Sequence, residues 1–279
     1  MSHKVIYPTA LKIFRNRHSE KKVLSELMDK LPERCSNLKD ATTCLSIGTG
    51  YGDYDIDFIE KCLPNLKKFI AIEIDGDCVK EVKENLYTRF KNKFEVEVFE
   101  MPVENFFDLY ETVINDFDGE KNKAEKYSFN SRCKEVLNGE VDAILAFHII
   151  HFLAEKERKR FYNLCFDHWL RPKTGQLFFT GCDENNSLNH LLSEAKSPVI
   201  LSSEIIVNEL KNGGKNVVEE FPYNCPIDYS SFDVDIRRFL NFTFQHSGAT
   251  ETSIEEAMKV IAPNGWSEYP CNFCIARKA

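Results

Sequence analysis

Residues 44–55 read Cys-Leu-Ser-Ile-Gly-Thr-Gly-Tyr-Gly-Asp-Tyr-Asp. A short apolar run enters a turn holding Gly48, Gly50 and Gly52, and a helical pattern leaves it. Glycines at a strand-to-helix turn let the backbone come close to a ligand. About 20 residues on, Glu73 closes the next apolar run, Lys-Phe-Ile-Ala-Ile-Glu-Ile over 68–74. A carboxylate at the end of a second parallel strand is placed to take both hydroxyls of a ribose, and Asp75 competes for the same task. Together these features predict a nucleoside-containing ligand on a doubly wound α/β sheet.

The same alternation extends outward from this turn. Residues 43–47, 68–74, 94–99, 141–147 and 176–180 read as strands. Helical patterns separate them at 54–62, 77–90, 104–115 and 155–170, with a polar stretch at 116–139 read as a loop or partly helical insertion. Strands alternating with helices predict a mostly parallel sheet covered on both faces. Ahead of it, residues 5–31 carry apolar side chains at helical spacing, broken near 16–18. A new helix is expected from Ser19, ended by Pro32, with a polar loop over 33–42. After residue 181 the helical patterns lie at 187–195, 202–211, 232–245 and 252–261. Strands are expected at 216–221 and 272–276, giving seven in all. The Pro-containing segment that follows Phe221 is unsuited to a central strand, so 222–268 is expected to be a helical insertion covering the active site. The expected layout is a single domain: an N-terminal helical cap over 1–42, a cofactor-binding core over 43–181, and substrate-covering helices with the last two strands over 182–279.

Composition narrows the function classes. The formal net charge is −8, and no basic stripe is present of the kind that neutralises nucleic-acid phosphates. No run of apolar residues reaches the length of a membrane helix, and the start of the sequence has no apolar signal core. The ten cysteines are scattered, several within apolar runs, as expected for reduced core residues in a cytoplasmic protein. Cys271-Pro-Asn-Cys274 stands alone in a segment that reads as a strand and is not taken as a metal or redox site. No metal is expected, since His148-x-x-His151 lacks an evident third ligand. Without heptads, a monomer is the expectation.

Three features choose among nucleoside cofactors. The dinucleotide fingerprint requires a glycine where Asp53 stands. Asp53 and Asp55 place carboxylates where a pyrophosphate would sit, which is unfavourable for a phosphate and tolerable for a cationic, phosphate-free ligand. Some 42 residues precede the first strand. These features point to S-adenosylmethionine. Gly48, Gly50 and Gly52, with Asp53 beside them, would meet its methionine end, and Glu73 or Asp75 its ribose. Val103 and Glu104 would meet the adenine, and Phe147 with His148 would lie beneath the sulfonium.

These residues resemble the class I S-adenosylmethionine-dependent methyltransferases, which share a Rossmann-like sheet. More closely they resemble the histamine N-methyltransferase family: the run Leu45-Ser-Ile-Gly48-x-Gly50-x-Gly52 and the segment Phe14–Met28 with its Ser19-Glu20 pair carry this likeness, with weaker support around Phe239-Leu240 and at the C-terminal strand. The resemblance implies that Glu20 meets the amine or imidazole of a substrate. His148 falls where that family has a glutamine, and Tyr269 where it has an asparagine. Phe152 and Phe239 match aromatic positions, whereas His151 replaces one. Two of three polar substrate contacts therefore differ, and the implied acceptor is a small amine or imidazole-like metabolite, histamine-like or histidine-derived, rather than histamine itself.

Methyl transfer is a direct displacement in which the protein mainly positions the nucleophile. Glu20 and His148 are the expected catalytic pair. His151, Phe152, Phe239, Tyr269, Tyr7 and Phe14 are the expected remaining substrate contacts. Bland alternatives stand beside these: Glu20 as a first-turn helix residue favoured by the dipole, and the aromatics as ordinary core. An O-methyltransferase with His148 as base, or a non-catalytic cofactor-binding protein, are the alternative functions.

Overall fold

The computed structural model describes residues 7–115, 137, 139–194, 200–231, 233–243 and 250–278. Its centre is a seven-stranded sheet formed by β1 (Thr43–Ile47), β2 (Lys68–Glu73), β3 (Glu95–Glu100), β4 (Ala143–Phe147), β5 (Gln176–Cys182), β6 (Lys215–Asn224) and β9 (Pro270–Lys278). The order is β3-β2-β1-β4-β5-β9-β6. The first five strands run parallel, and β9 lies antiparallel between β5 and β6. Two short strands, β7 (Ile227–Asp228) and β8 (Trp266–Ser267), pair separately.

Alternation along the central strands sends side chains into two cores. Leu45, Ile47, Ile70, Ile72, Ile144 and Ala146 face one; Cys44, Phe69, Ala71, Ala143, Leu145 and Phe147 face the other. Both faces are buried, which is why these strands read as nearly continuous apolar runs. The first core is covered by α6 (Val103–Asn115), α7 (Glu155–Asn163) and α9 (Ser203–Asn212). The second is covered by α1 (Tyr7–Asn16), α2 (Glu20–Met28), α3 (Leu31–Arg34), α4 (Asp53–Cys62), α5 (Gly76–Phe90), α8 (Ser187–Glu194), α10 (Val234–Thr243) and α11 (Glu251–Ile261).

Several boundaries differ from the sequence reading for identifiable reasons. Pro32 does not end a helix. It sits in the first turn of α3, where its missing N–H removes no helical bond, and a 3₁₀ turn over Ser36–Asp40 follows where a loop was expected. The helix expected over 155–170 ends as α7 and continues as a π turn over Leu164–Trp169, closed by the Leu170 N–H donating to the Cys165 carbonyl at 2.8 Å. Pro222 lies inside β6, allowed because β6 is the sheet edge. The chain between β6 and β9 is thus shorter than expected and carries β7 and β8 besides helices. Of the polar stretch 116–139, only Leu137 and Gly139 are among the described residues.

Cys271 and Cys274 point into opposite cores, so this C-x-x-C pair does not converge. All nine cysteines among the described residues are free and buried. Among the described residues no helix is long and apolar enough to cross a membrane.

The cap and the insertion are clipped together over the C-terminal ends of the parallel strands. Arg17 pairs with Asp233, the Asp228 N–H donates to the Arg17 carbonyl at 2.8 Å, and His18 bridges Ile227. In open α/β sheets this strand end is where ligands bind, and here it is roofed.

Candidate functional site

The glycine turn follows β1. Gly48, Gly50 and Gly52 all have positive φ, at 65°, 55° and 77°. At Gly52 a Cβ would stand 2.5 Å from Val82 Cγ2, and at Gly48 one would stand 2.8 Å from Ile149 side-chain atoms. Backbone conformation and close approach therefore both require glycine at these two positions. Glu73, at the end of β2, is 5 % exposed. Its Oε2 accepts from the Gly50 N–H at 2.7 Å and its Oε1 from the Asp75 N–H at 3.0 Å. Each oxygen keeps a further lone pair for a ligand hydroxyl.

A cavity of about 560 Å³ opens from this turn, within the ~300–1,000 Å³ usual for small-molecule sites. Gly48, Gly50, Glu73, Val103, Glu104 and Phe147 line one end. Ile74 and Phe152, both more than half exposed, stand on its wall as well. The other end is walled by Phe14, Phe239 and Tyr269 with His18, Glu20, His148 and His151. Phe14 stacks on Phe239 at 5.1 Å and meets Tyr269 edge-on at 5.6 Å.

The floor of the second end is a buried carboxylate. Glu20, in the first turn of α2, is 1 % exposed. Its Oε2 accepts from Tyr54 Oη at 2.7 Å, and its Oε1 from Tyr223 Oη at 2.6 Å and His148 Nε2 at 2.7 Å. Burial acts to raise its carboxyl, but the charge and hydrogen bond of His148, with His18 and Tyr223, hold it below the usual carboxylate range. Burial and the Glu20 charge push Tyr54 and Tyr223 well above the ordinary phenol value, so both remain donors. An ionised carboxylate only accepts. The proton at this contact therefore sits on His148 Nε2, which leaves Nδ1 as the ring's acceptor when the imidazole is neutral. His148 follows β4 with φ +54°, a strained conformation of the kind found at functional sites. Its N–H donates to Thr180 Oγ1 at 3.0 Å.

The sequence-predicted residues divide clearly. Phe14, Glu20, Gly48, Gly50, Glu73, Val103, Glu104, Phe147, His148, His151, Phe152, Phe239 and Tyr269 meet at the one cavity. Asp75 does not line it: its carboxylate caps α5 by accepting from the Asp77 and Cys78 N–H groups, so of the two carboxylates it is Glu73 that faces the cavity. Asp53 does not line it either. It pairs with Arg15 at 2.8 Å and Lys21 at 2.9 Å, tying the cap to the glycine turn. Burial opposes this charge, and the two cations overcome it and hold the Asp53 carboxyl below its ordinary value. Gly52 shapes the turn from outside the wall, and the Tyr7 side chain is outside the described residues. Sequence reading missed His18, Tyr54 and Tyr223. Tyr54 carried one usable signal, a polar-tipped aromatic in the first turn after the glycines. Tyr223 carried none, because its role depends on β6 reaching α2.

A second depression, about 720 Å³, lies between α6 and α7 and is lined by Asp108, Glu111, Lys156, Lys159 and Arg160. Arg160 is held by Glu111, Asp108 and Glu157. Lys159 pairs with Glu155 in solvent, and the depression holds none of the buried groups described above.

No family model matches the chain, and no curated protein matches it in sequence. Solved structures do match. A protein assigned as a sarcosine dimethylglycine methyltransferase from Galdieria sulphuraria is 11% identical with a TM-score of 0.51, over 91% of this chain and 85% of that one. The YcgJ protein from Bacillus subtilis is 14% identical with a TM-score of 0.51, over 92% and 99%. The [4+2]-cyclase SpnF is 13% identical with a TM-score of 0.51, over 91% and 81%. Likeness at this identity establishes the fold, the Rossmann-like α/β fold of the methyltransferases. One neighbour is named for methyl transfer and another for cyclisation, so the activity has to be argued from the site.

Proposed function

We propose that this protein is an S-adenosylmethionine-dependent methyltransferase acting on a small amine or imidazole-like metabolite. The observation that carries this reading is the single cavity joining the glycine turn and Glu73 to the Glu20–His148 pair. The donor end fits the cofactor's chemistry. Glu73 is a buried carboxylate with acceptor capacity left for ribose hydroxyls, Val103 and Ile74 offer apolar surface for a base, and Asp55 beneath the turn disfavours phosphate. When bound, the cofactor supplies a methyl group on a sulfonium, open to direct displacement.

The chain's own residues would do the rest. Phe14, Phe239 and Tyr269 would hold the acceptor against the methyl group, which is the main protein contribution to such a displacement. His148 Nδ1 would accept a hydrogen bond from the nucleophile and its proton as the new bond forms. Glu20, 1 % exposed and accepting from three donors, would act through His148 as a positioning residue rather than touch the substrate. The resemblance of the Phe14–Met28 segment to the histamine N-methyltransferase family supports a nitrogen acceptor. In that family the residue matching Glu20 meets the substrate directly; here His148 would take over that contact.

One observation favours a second reading, O-methyl transfer. A hydroxyl must lose its proton during attack, whereas a neutral amine already has a lone pair. A histidine oriented by a buried carboxylate is the base such a hydroxyl needs. A mass-resolved methylation screen over small amines, imidazoles and hydroxylated aromatics, run with cofactor titration by calorimetry, tests both. The expected result is N-methyl product, with Glu20→Gln and His148→Ala cutting turnover while cofactor affinity stays within a fewfold. O-methyl product would establish the second reading. Absence of any cofactor binding would refute both.

A further inference from the structure

His18 is not needed for the chemistry proposed above, yet the fold directs it into the cavity. Its backbone is held by the bridge to Ile227. Its ring packs on Phe14 with centroids 4.3 Å apart. Its Nδ1 accepts from the Glu20 N–H at 3.1 Å. Ser19 stands at the helix N-cap but makes no side-chain capping bond, so the imidazole of His18 satisfies the first-turn N–H instead. That bond determines the tautomer: a ring nitrogen that accepts carries no proton, so Nε2 bears the hydrogen in the neutral ring. Burial, the largest influence, holds the ring's pKa down to about 4 against the raising effect of Glu20, so it is neutral at neutral pH.

Nε2 is buried and has no hydrogen-bond partner among the described residues. A buried donor without a partner costs free energy that a ligand acceptor recovers. The surroundings select which acceptor. Glu20, two residues on, is a carboxylate, and Arg15 already pairs with Asp53. A negatively charged acceptor atom would meet Glu20 with no free cation beside it among the described residues. The adjoining wall is aromatic, formed by Phe14, Phe239 and Tyr269.

We infer that His18 is a specificity-determining residue, whose Nε2–H donates to a neutral acceptor atom on an aromatic ring of the methyl acceptor. The substrate class is therefore an uncharged aromatic or heteroaromatic ring bearing a pyridine-type nitrogen, carbonyl or hydroxyl oxygen besides the atom that is methylated. This rests on the methyl-transfer reading, which assigns this end of the cavity to the acceptor.

A matched pair of probes tests it. 1-Methylbenzimidazole and 1-methylindole share size and shape, are neutral at pH 8, and differ in one ring nitrogen that accepts. Binding of each is measured by calorimetry to the full chain saturated with S-adenosylhomocysteine, whose own binding is recorded first. The wild type is expected to prefer 1-methylbenzimidazole by roughly tenfold, the usual scale for satisfying a buried donor. His18→Asn keeps an acceptor for the Glu20 N–H and removes the donor from the Nε2 position, which the shorter amide NH2 does not reach. It is expected to bind both probes equally and to keep its affinity for S-adenosylhomocysteine. Nitrogen-15 spectra of histidine-labelled wild type need no variant: the His18 Nε2–H signal should shift with 1-methylbenzimidazole and not with 1-methylindole. If S-adenosylhomocysteine binds but 1-methylbenzimidazole does not, or the two probes bind alike, or the preference survives in His18→Asn, the inference is overturned while the methyl-transfer reading stands. If S-adenosylhomocysteine itself does not bind, the methyl-transfer reading has failed and this inference with it.

Discussion

Replacing Asp55 by asparagine should make this protein more stable at neutral pH. Asp55 lies beneath the glycine turn in α4, 3 % exposed, where it accepts from Thr49 Oγ1 at 3.0 Å. Burial pushes its carboxyl up from 3.8 to about 6, and the Ser46 and Thr49 hydroxyls, its own backbone and Arg15 oppose this only in part. A folded-state pKa raised above the unfolded one means that stability is fully present below the unfolded value and is lost as pH rises through the folded one. At about 1.4 kcal/mol per pKa unit, the charged group costs ~3 kcal/mol by pH 8. The same linkage gives roughly half of that at pH 5. The amide oxygen of an asparagine there would still accept from Thr49, and the side chain would carry no charge. Urea denaturation of both proteins from pH 5 to 8 should show Asp55→Asn ahead by ~1–3 kcal/mol at pH 8, with the lead shrinking as pH falls. A variant no more stable at pH 8, or ahead equally at pH 5, refutes the reasoning. If the charge also helps hold a cationic cofactor at the turn above, the stabilised variant will bind S-adenosylmethionine more weakly, the usual exchange of function for stability.

Other consequences follow from the same geometry. Gly52→Ala places a Cβ against Val82 at φ +77°; thermal or chemical denaturation should show a loss of about 2–4 kcal/mol from the left-handed backbone and the overlap combined. Tyr223→Phe removes one donor from the Glu20 carboxylate and should cost about 1.5–3 kcal/mol at pH 7, the range for a hydrogen bond to a charged group. The folded Glu20 carboxyl is held well below the usual carboxylate range, so it stays ionised in both proteins at pH 4; denaturation there should show the same gap as at pH 7, closing only as pH falls further, through the folded-state value. Arg158 is 8 % exposed and donates twice to Glu209; Arg158→Ala leaves this partly buried carboxylate without its cation, only the Tyr162 hydroxyl still donating to it, and denaturation should register about 3 kcal/mol.

Much of this was legible in the residues alone, and the limits have a physical cause. Strand and helix periodicities are local, and a buried parallel sheet announces itself through continuous apolar runs such as 68–72. The glycines and Glu73 were readable because a turn with positive φ constrains the residue that occupies it, and because the end of the second strand comes at a predictable distance. Asp75 looked equivalent to Glu73 in sequence. Only the helix start decided between them, because the N–H groups of Asp77 and Cys78 claimed the Asp75 carboxylate. Glu20 was singled out through a family resemblance, yet its surroundings were not readable.

The sequence by itself determined the alternating sheet, the glycine turn and the carboxylate that closes the second strand, since each is set by residues near one another in the chain. Only the tertiary structure brought Tyr54, His148 and Tyr223 onto Glu20, across separations of 34, 128 and 203 residues. A buried carboxylate must be satisfied by whatever donors the packed cap, sheet edge and strand ends deliver, and no local pattern records which those are.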